Sequence, residues 1–273
     1  MPAGLERLSL NQKTVDSWSL AQAVDGCARA GIGWISTWRD KVQEAGIKES
    51  AKLIRDASLQ VSGHCRGGMF PATTAEERAA NIEDNKRAID EAAAIGCDLL
   101  VMVCGGLSGV KSIEDARGMV RDGIEAIIPY ATEHGVRIGI EPLHPAFAAD
   151  RSVIVSLKQA NNMAEAFNDP NVGVVIDIFH VWWDPFVYEE IARAAGYTFG
   201  FHVNDWIVPN GDPLTGRGMM GDGVVDNRKL REAVDAAGYT GPIEVEIFNK
   251  DIWARDPDDV LAEMKQRFVE HVL

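Results

Sequence analysis

The chain has 273 residues, 46% of them hydrophobic, which provides enough apolar surface for a substantial core and argues against a disordered segment. Its 27 Lys and Arg residues are outnumbered by 41 Asp and Glu residues, and the formal charge of −14 would repel a phosphate backbone, so we expect no nucleic-acid partner. No uncharged apolar run approaches the roughly 18 residues of a membrane span, and the first ten residues lack a signal-peptide pattern, so we expect a cytoplasmic protein with no membrane partner.

Short runs rich in Val, Ile and Phe alternate along the chain with amphipathic stretches, and no Ser/Pro-rich linker separates them. We predict that each run is a β-strand. In chain order the eight predicted strands cover residues 7–11, 33–38, 59–64, 98–104, 137–143, 172–180, 198–205 and 242–249.

The stretch at 73–96 shows the boundaries of a predicted helix. Thr74 can cap its start, acidic side chains fill its first turn, and Gly96 suits its C-terminal end. Several other amphipathic stretches also end in glycine just before the next predicted strand. Eight strand–helix units in a chain of this length fit a closed barrel better than an open doubly wound sheet. We therefore predict an α/β fold consisting of a single (β/α)8 TIM barrel over residues 1–273.

The four cysteines form no CxxC pair and no spacing typical of a disulfide framework. We expect them to be reduced and to pack as small apolar side chains. They are Cys27, Cys65, Cys97 and Cys104.

Catalytic groups of such a barrel lie at the C-terminal ends of its strands. The last four predicted strands end with an acid, an acid, a histidine and an acid, namely Glu141, Asp177, His202 and Glu246. Oxygen-rich ligation with one imidazole suits Mn²⁺, Mg²⁺, Co²⁺ or Zn²⁺. We therefore predict one divalent metal ion at this end of the barrel, and Mn²⁺ is favoured.

The eighth predicted strand offers two acids for this site. Glu244 and Glu246 share the inward parity of the strand, so either can be the ligand. We prefer Glu246 because it lies nearer the C-terminal mouth, and we expect Glu244 to sit lower, beside a basic partner.

Four segments carry a resemblance to a known family: "GIEPLHP" (139–145), "VIDIFHVWWDP" (175–185), "FHVNDW" (201–206) and "GDGVVDNRKLREAVDAAGYTGPIEVEIFN" (221–249). Together they resemble the sugar-phosphate isomerase/epimerase family, the xylose-isomerase-like barrels that include the AP-endonuclease branch. The resemblance covers essentially the whole chain. It implies a single metal held by Glu141, Asp177, His202 and Glu246. It also implies that His180 contacts the substrate.

The resemblance implies an isomerase or epimerase of a sugar or keto-sugar that acts through a metal-stabilised enediolate. In epimerases of this family two metal-bound glutamates are the acid/base pair, which here would be Glu141 and Glu246. His144 suggests an alternative, because a histidine close after the fifth strand, like the ending "VEIFN", resembles the dehydratase members such as dehydroshikimate dehydratases. With His144 as the base, the enzyme would be a lyase acting on a keto-polyol or keto-glycoside.

A third class, the DNA-repair endonucleases, needs a three-metal cluster with additional histidines. The fourth predicted strand ends at Cys104, and the chain has only 6 histidines, so this class is disfavoured.

Three further side chains are candidates for substrate contact. His64 ends the third predicted strand and Arg66 follows it, although His64 is equally suited to a structural role. Arg217 lies in the glycine-rich segment "LTGRGMMGDG" (214–223), where it either closes over the mouth or is a solvent-facing loop charge. No cluster of basic residues is evident in the sequence, which favours an unphosphorylated small-molecule sugar. The oligomeric state is open, and a homo-oligomer is compatible with the sequence.

Overall fold

Eight parallel strands close into a barrel in the computed structural model, which describes residues 4–273. The first and last of these strands pair with each other and complete the ring. In chain order the barrel strands are β1 (Leu8–Asn11), β2 (Trp34–Trp38), β3 (Gln60–Gly68), β4 (Leu99–Val103), β5 (Arg137–Glu141), β6 (Val172–Asp177), β7 (Thr198–Val203) and β10 (Ile243–Val245). Each of the eight predicted strands overlaps one of them, which confirms the (β/α)8 barrel.

The helices surround the barrel and cover its outer face. Among the described residues the α-helices are α1 (Leu20–Ala30), α2 (Arg39–Ala45), α3 (Ile47–Asp56), α4 (Ala75–Ala94), α5 (Ile113–Glu133), α6 (Leu157–Phe167), α7 (Ile178–Val181), α8 (Val187–Arg193), α9 (Asn227–Ala236), α10 (Lys250–Trp253) and α11 (Pro257–His271). Short 3-10 helices cover Gln12–Val15 and Pro145–Phe147. Across residues 4–273, no helix combines the length and the apolar character that crossing a membrane requires.

The predicted helix at 73–96 is confirmed as α4. Thr74 caps it, with the Thr74 side chain accepting from Glu77 N and the Glu77 side chain accepting from Thr74 N. Gly96, just beyond the helix, has a φ of +77°, a left-handed conformation that glycine adopts without strain.

β4 illustrates why the barrel is stable. Its sequence LLVMV has no polar side chain, and every position is buried, because the helices cover one face and the barrel interior covers the other. The interior is closely packed around glycines, since a Cβ at Gly139 of β5 would lie 2.6 Å from Val175 of β6. The four cysteines are all buried and free.

Strand boundaries differ from the prediction at several of the ends that form the mouth. The predicted strand 172–180 stops at Asp177, because the Asp177 side chain accepts from Phe179 N and starts α7. The predicted strand 198–205 stops at Val203. The next residues form a small antiparallel pair that the sequence did not predict, β8 (Asp205–Trp206) with β9 (Arg217–Gly218).

Candidate active site

The four predicted metal ligands converge at the mouth of the barrel. One potential ligand atom from each of Glu141, Asp177, His202 and Glu246 lies within 4.8 Å of the others, and all four residues are buried. Strand register produces this cluster, because Asp177 of β6 is the Cα partner of His202 of β7. These buried acids and the histidine could hold a metal ion.

The ring of His202 distinguishes the two glutamates of the eighth barrel strand. Its Nδ1 faces Glu141 Oε1 at 3.3 Å and Glu246 Oε2 at 3.5 Å, whereas its Nε2 lies 3.5 Å from Glu244 Oε1. Glu244 therefore lies on the far side of the ring from the converging oxygen atoms. It also accepts hydrogen bonds from Asn11 Nδ2 at 2.6 Å and from Ser62 Oγ at 3.0 Å, which fix its carboxylate. A carboxylate in this position orients the ring of a ligating histidine and does not itself bind the metal.

The carboxylates of the cluster carry more negative charge than His202 can compensate. Burial and the neighbouring Glu246 raise the pKa of Glu141 to about 7, although His202 opposes the shift, and burial raises the pKa of Glu244. Burial alone would lower the pKa of His202, but Glu244, Glu141 and Glu246 raise it well above its usual value. Close, buried carboxylates thus favour protons or cations between them.

Two buried atoms of the cluster have no hydrogen-bond partner among the described residues. They are Glu141 Oε1 and His202 Nδ1, which face each other across the point where the ligand atoms converge. Buried polar atoms are normally satisfied, so a convergent unsatisfied pair indicates a group that binds there. Three carboxylates and one imidazole suit a divalent cation.

Arg217 lies inside this cluster and is buried. Its Nη1 donates to Asp177 Oδ2 at 2.6 Å and to Glu246 Oε2 at 2.9 Å. The backbone of Arg217 is held against the end of β10, because its N–H donates to Phe248 O and its carbonyl accepts from Asn249 Nδ2. Burial opposes the charge on Arg217, but Asp177 and Glu246 raise its pKa, so the side chain stays cationic. Arg217 is therefore part of the site and not a solvent-facing loop charge.

His180 reaches the same cluster from α7. His144 N donates to its Nδ1 at 3.1 Å. Its Nε2 lies 3.1 Å from Arg217 Nη2, a group that can only donate, and 3.6 Å from Asp177 Oδ2. Burial lowers the pKa of His180 to about 3, so at neutral pH the ring is uncharged.

His144 lies beside the site, not inside it. Its Nδ1 accepts from Ala146 N at 3.2 Å and caps the short helix Pro145–Phe147. Its ring stacks on Trp206, with centroids 5.0 Å apart, and meets Trp183 edge-on. Burial lowers the pKa of His144, so the ring is neutral at neutral pH. Its role as a catalytic base stays a prediction.

The structure does not bring His64 to the mouth. Its ring is fully buried between the barrel and α4, where Nδ1 accepts from Thr37 Oγ1 at 2.9 Å and Nε2 lies 3.3 Å from Glu91 Oε2. This environment supports the structural role that the sequence left open for His64.

A cavity opens above the cluster. Aromatic and aliphatic side chains form part of its wall, together with Glu141, Glu246, His180 and three arginines. The apolar part comprises Trp38, Val103, Leu143, Phe147, Pro213, Leu214 and Phe248. The arginines are Arg66, Arg151 and Arg217.

Comparison with known proteins decides the family. The sequence profile of the xylose isomerase-like TIM barrels matches residues 24–270. The chain belongs to this family. The resemblance carried by the four sequence segments is thereby confirmed.

Three relatives of this xylose isomerase-like barrel cover nearly all of it. The structure of protein SMc04130 from Sinorhizobium meliloti 1021 is 46% identical, covers 98% of both chains and superposes with a TM-score of 0.96. L-ribulose-5-phosphate 3-epimerase UlaE of Escherichia coli K12 is 25% identical over 273 residues, which are 97% of this chain and 88% of UlaE. An IolI protein crystallised with a bound zinc atom is 18% identical, covers 97% of this chain and 98% of its own, and superposes with a TM-score of 0.85, which shows the shared fold.

Two residues of this xylose isomerase-like site were not identified from the sequence. Asn11 donates to both Glu244 and Glu246, at 2.6 and 3.0 Å, and so links the two acids of the last strand. Its position at the end of β1 was a usable signal, because the end of the first strand lies beside that of the eighth. Arg151 lies well beyond the end of β5 in an irregular segment, and nothing in the sequence marks it.

Proposed function

We propose that the chain is a divalent-metal-dependent epimerase or isomerase of a keto-sugar, with Glu141, Asp177, His202 and Glu246 as the metal ligands. The observation that carries the proposal is the convergence of three buried carboxylates and the His202 ring, with unsatisfied atoms on Glu141 and His202. The sugar-epimerase activity in the name of UlaE supports the same reaction class.

Glu141 and Glu246 are suited to act as an acid/base pair. Glu141 ends β5 and Glu246 directly follows β10. These strands are separated in the barrel by β6 and β7, so the two carboxylates approach the centre from different sides. A divalent cation, when bound, supplies positive charge that polarises the carbonyl oxygen of the substrate and makes the adjacent C–H more acidic. One glutamate then removes that proton, and the other returns a proton to the opposite face, which inverts the configuration of the carbon.

Arg217 and His180 are suited to position the substrate. Arg217 Nε is buried and has no partner among residues 4–273, so one donor remains for a sugar oxygen. The neutral ring of His180, from the neighbouring α7, lines the same cavity. Both side chains are anchored by other contacts, so little ordering is required when substrate binds.

The apolar wall has a separate role. Trp38, Phe147 and Phe248 line the cavity above the carboxylates, and Leu214 belongs to the segment between β8 and β9. Apolar side chains around a proton-transfer site exclude bulk water, which strengthens each electrostatic interaction there. Flat aromatic faces also pack against the C–H faces of sugar rings.

Proton exchange tests the proposal. Metal-loaded enzyme is incubated in D₂O with a panel of ketohexoses, ketopentoses and their phosphates, and the products are followed by proton NMR. We expect deuterium to enter the carbon beside the carbonyl as the epimer or isomer forms. Chelation of the metal and the Glu246→Gln substitution should both abolish the exchange. Absence of exchange with every sugar would contradict the proposal, and an unsaturated product would favour the lyase with His144 as its base.

A further inference from the structure

The arginines of this acidic protein are almost all neutralised. Of the seventeen arginines in the sequence, thirteen form an ion pair with a carboxylate. Two more, Arg78 and Arg228, donate to backbone carbonyls. Within residues 4–273 the side chains of Arg66 and Arg151 alone have neither kind of partner, although both are half-buried. A guanidinium removed from water without an acceptor is unfavourable, so two exceptions need a reason.

Both exceptions line the same cavity, the one above Glu141 and Glu246. Arg66 belongs to the C-terminal part of β3, and Arg151 follows the short helix after β5, so they approach from strands on either side of β4. The third arginine of the cavity, Arg217, is paired with Asp177 and Glu246.

The backbones that carry the two arginines are fixed. Cys65 and Gly67, on either side of Arg66, both pair with β4. Arg151 O accepts from Gly105 N at 2.9 Å, and Val153 N donates to Gly105 O at 2.9 Å, which joins this segment to the residues after β4. The two guanidinium groups are therefore presented from ordered backbone and not from a free loop.

We propose that Arg66 and Arg151 bind an anionic group of the substrate, a phosphate or a carboxylate, that lies away from the carbons undergoing proton transfer. The proposal rests on the proposed function, because it defines the class of keto-sugar that this site accepts. Guanidinium groups bind both anions through paired N–H donors, and the remaining apolar wall strengthens such contacts. The expectation of an unphosphorylated substrate rested on the absence of a basic cluster in the sequence, whereas Arg66 and Arg151 are distant in sequence and meet only in the folded barrel.

Binding of three matched ketohexoses tests the proposal. The probes are D-fructose, D-fructose 6-phosphate and D-fructuronate, which differ in the group at C6, and their affinities for metal-loaded enzyme are measured by isothermal titration calorimetry. We expect at least one of the two anions to bind at least about tenfold more tightly than D-fructose. The stronger of the two identifies the anion as phosphate or carboxylate.

The variants assign this preference to the two arginines. In the double variant Arg66→Gln/Arg151→Gln the ratio of anion to neutral affinity should fall to about one. The affinity for D-fructose should stay unchanged, which also shows that the cavity is folded. Arg55→Gln is the control for loss of an arginine away from the cavity, since Arg55 lies at the end of α3 that leads into the start of β3, at the opposite end of the barrel. It should retain the full preference.

The outcomes separate this proposal from the proposed function. Equal affinities in the wild type, no binding of any probe, or a preference that survives in the double variant would overturn the anion site. If the enzyme exchanges protons on ketoses but binds neutral and anionic ketoses equally well, the epimerase is supported and the anion site is refuted. Charge-selective binding that the double variant loses, in an enzyme that exchanges no proton, would support the arginine pair and refute the epimerase.

Discussion

Two buried histidine–carboxylate clusters occupy this barrel, and they differ in how completely they are hydrogen-bonded. Behind β3, Glu91 is contacted by His64, by Arg39 Nε at 2.8 Å and by Gln43 Nε2 at 2.9 Å. The other ring nitrogen of His64 is satisfied by Thr37. At the mouth, by contrast, His202 and Glu141 each leave a buried atom without a partner among residues 4–273.

The contrast separates structural from functional buried charge. The cluster around His64 joins β2, β3, α2 and α4, and its charges are compensated within the protein, so it stabilises the contact between barrel and helices. The cluster around His202 has surplus carboxylates and open ligand atoms that point at one place. Both clusters pair a buried histidine with a carboxylate, and the surplus carboxylates with unsatisfied atoms are what favour a binding site at the mouth.

Removing a ligand should produce the largest effect. We expect alanine at Glu141, Asp177, His202 or Glu246 to lower the metal retained after dialysis, measured by elemental analysis. Proton exchange should fall by at least the roughly 10²–10⁴-fold that general acid/base catalysis supplies. Glu91→Ala, in the fully hydrogen-bonded cluster around His64, is the matched control and should retain full metal content. Undiminished metal in three or more of the four variants would remove the site as described.

A finer test compares the two acids of the last strand. Glu246→Ala should lose the metal, whereas Glu244→Ala should keep it with an affinity lower by about 10–100-fold, because Glu244 orients the His202 ring. Competition with a fluorescent chelator measures both affinities. The reverse pattern, with metal kept by Glu246→Ala and lost by Glu244→Ala, would make Glu244 the ligand.

A substitution in the cluster around His64 should change the stability of the protein and not its metal content. We expect Glu91→Ala to reduce the free energy of unfolding by about 2 kcal/mol, since hydrogen bonds to Arg39, Gln43 and His64 are lost, while turnover changes little. Urea titration gives the first quantity and the proton-exchange rate gives the second. A loss of turnover at unchanged stability would mean that this cluster contributes to catalysis.

The same residue predicts a pH dependence. Burial opposes the charge on Glu91, but His64 and Arg39 outweigh it and lower the pKa to about 2 from an ordinary value of 4.5. A carboxylate with a lowered folded pKa stabilises the protein above its unfolded pKa, and that contribution is lost as the pH falls from about 4.5 towards 2. In Glu91→Gln the decline of unfolding free energy over this window should be shallower than in the wild type. Identical slopes would mean that the ion pair contributes nothing.

The smallest effect should come from His144→Ala. Because His144 caps Pro145–Phe147 and does not line the cavity, we expect a loss of about 1 kcal/mol of stability with most turnover kept. Melting temperature, metal content and kcat are measured on this one variant. A fall in kcat of about 10²–10⁴-fold with normal metal and stability would instead identify His144 as a general base and favour the lyase.

Sequence reasoning recovered the parts of this molecule that depend on local pattern. The eight apolar runs predicted the barrel, and the strand ends then predicted a metal site at the mouth, since parallel strands in a closed barrel place those ends together. Glu246 was preferred over Glu244 by position along the strand, and the orientation of the His202 ring supports that choice without testing it.

Contacts between distant segments could not be predicted in the same way. His64 and His202 both lie on barrel strands, and only the fold reveals that one faces α4 and the other faces the barrel interior. The β3 strand continues through Gly68, so the predicted strand end at His64 was not the mouth. Arg217 lies in the short strand β9, which is positioned by its pairing with β8. Arg151 lies in an irregular segment, next to the bridge between Gly105 and Ser152.

The position of a bound metal tests the central claim most directly. Crystals of the protein loaded with Mn²⁺ give an anomalous-difference map that locates the ion without reference to activity. We expect one peak, within about 2.0–2.6 Å of His202 Nδ1 and of carboxylate oxygens of Glu141, Asp177 and Glu246. The carboxylate of Glu244 should lie outside this distance. A peak elsewhere, or no peak at this cluster in the fully loaded protein, would contradict it.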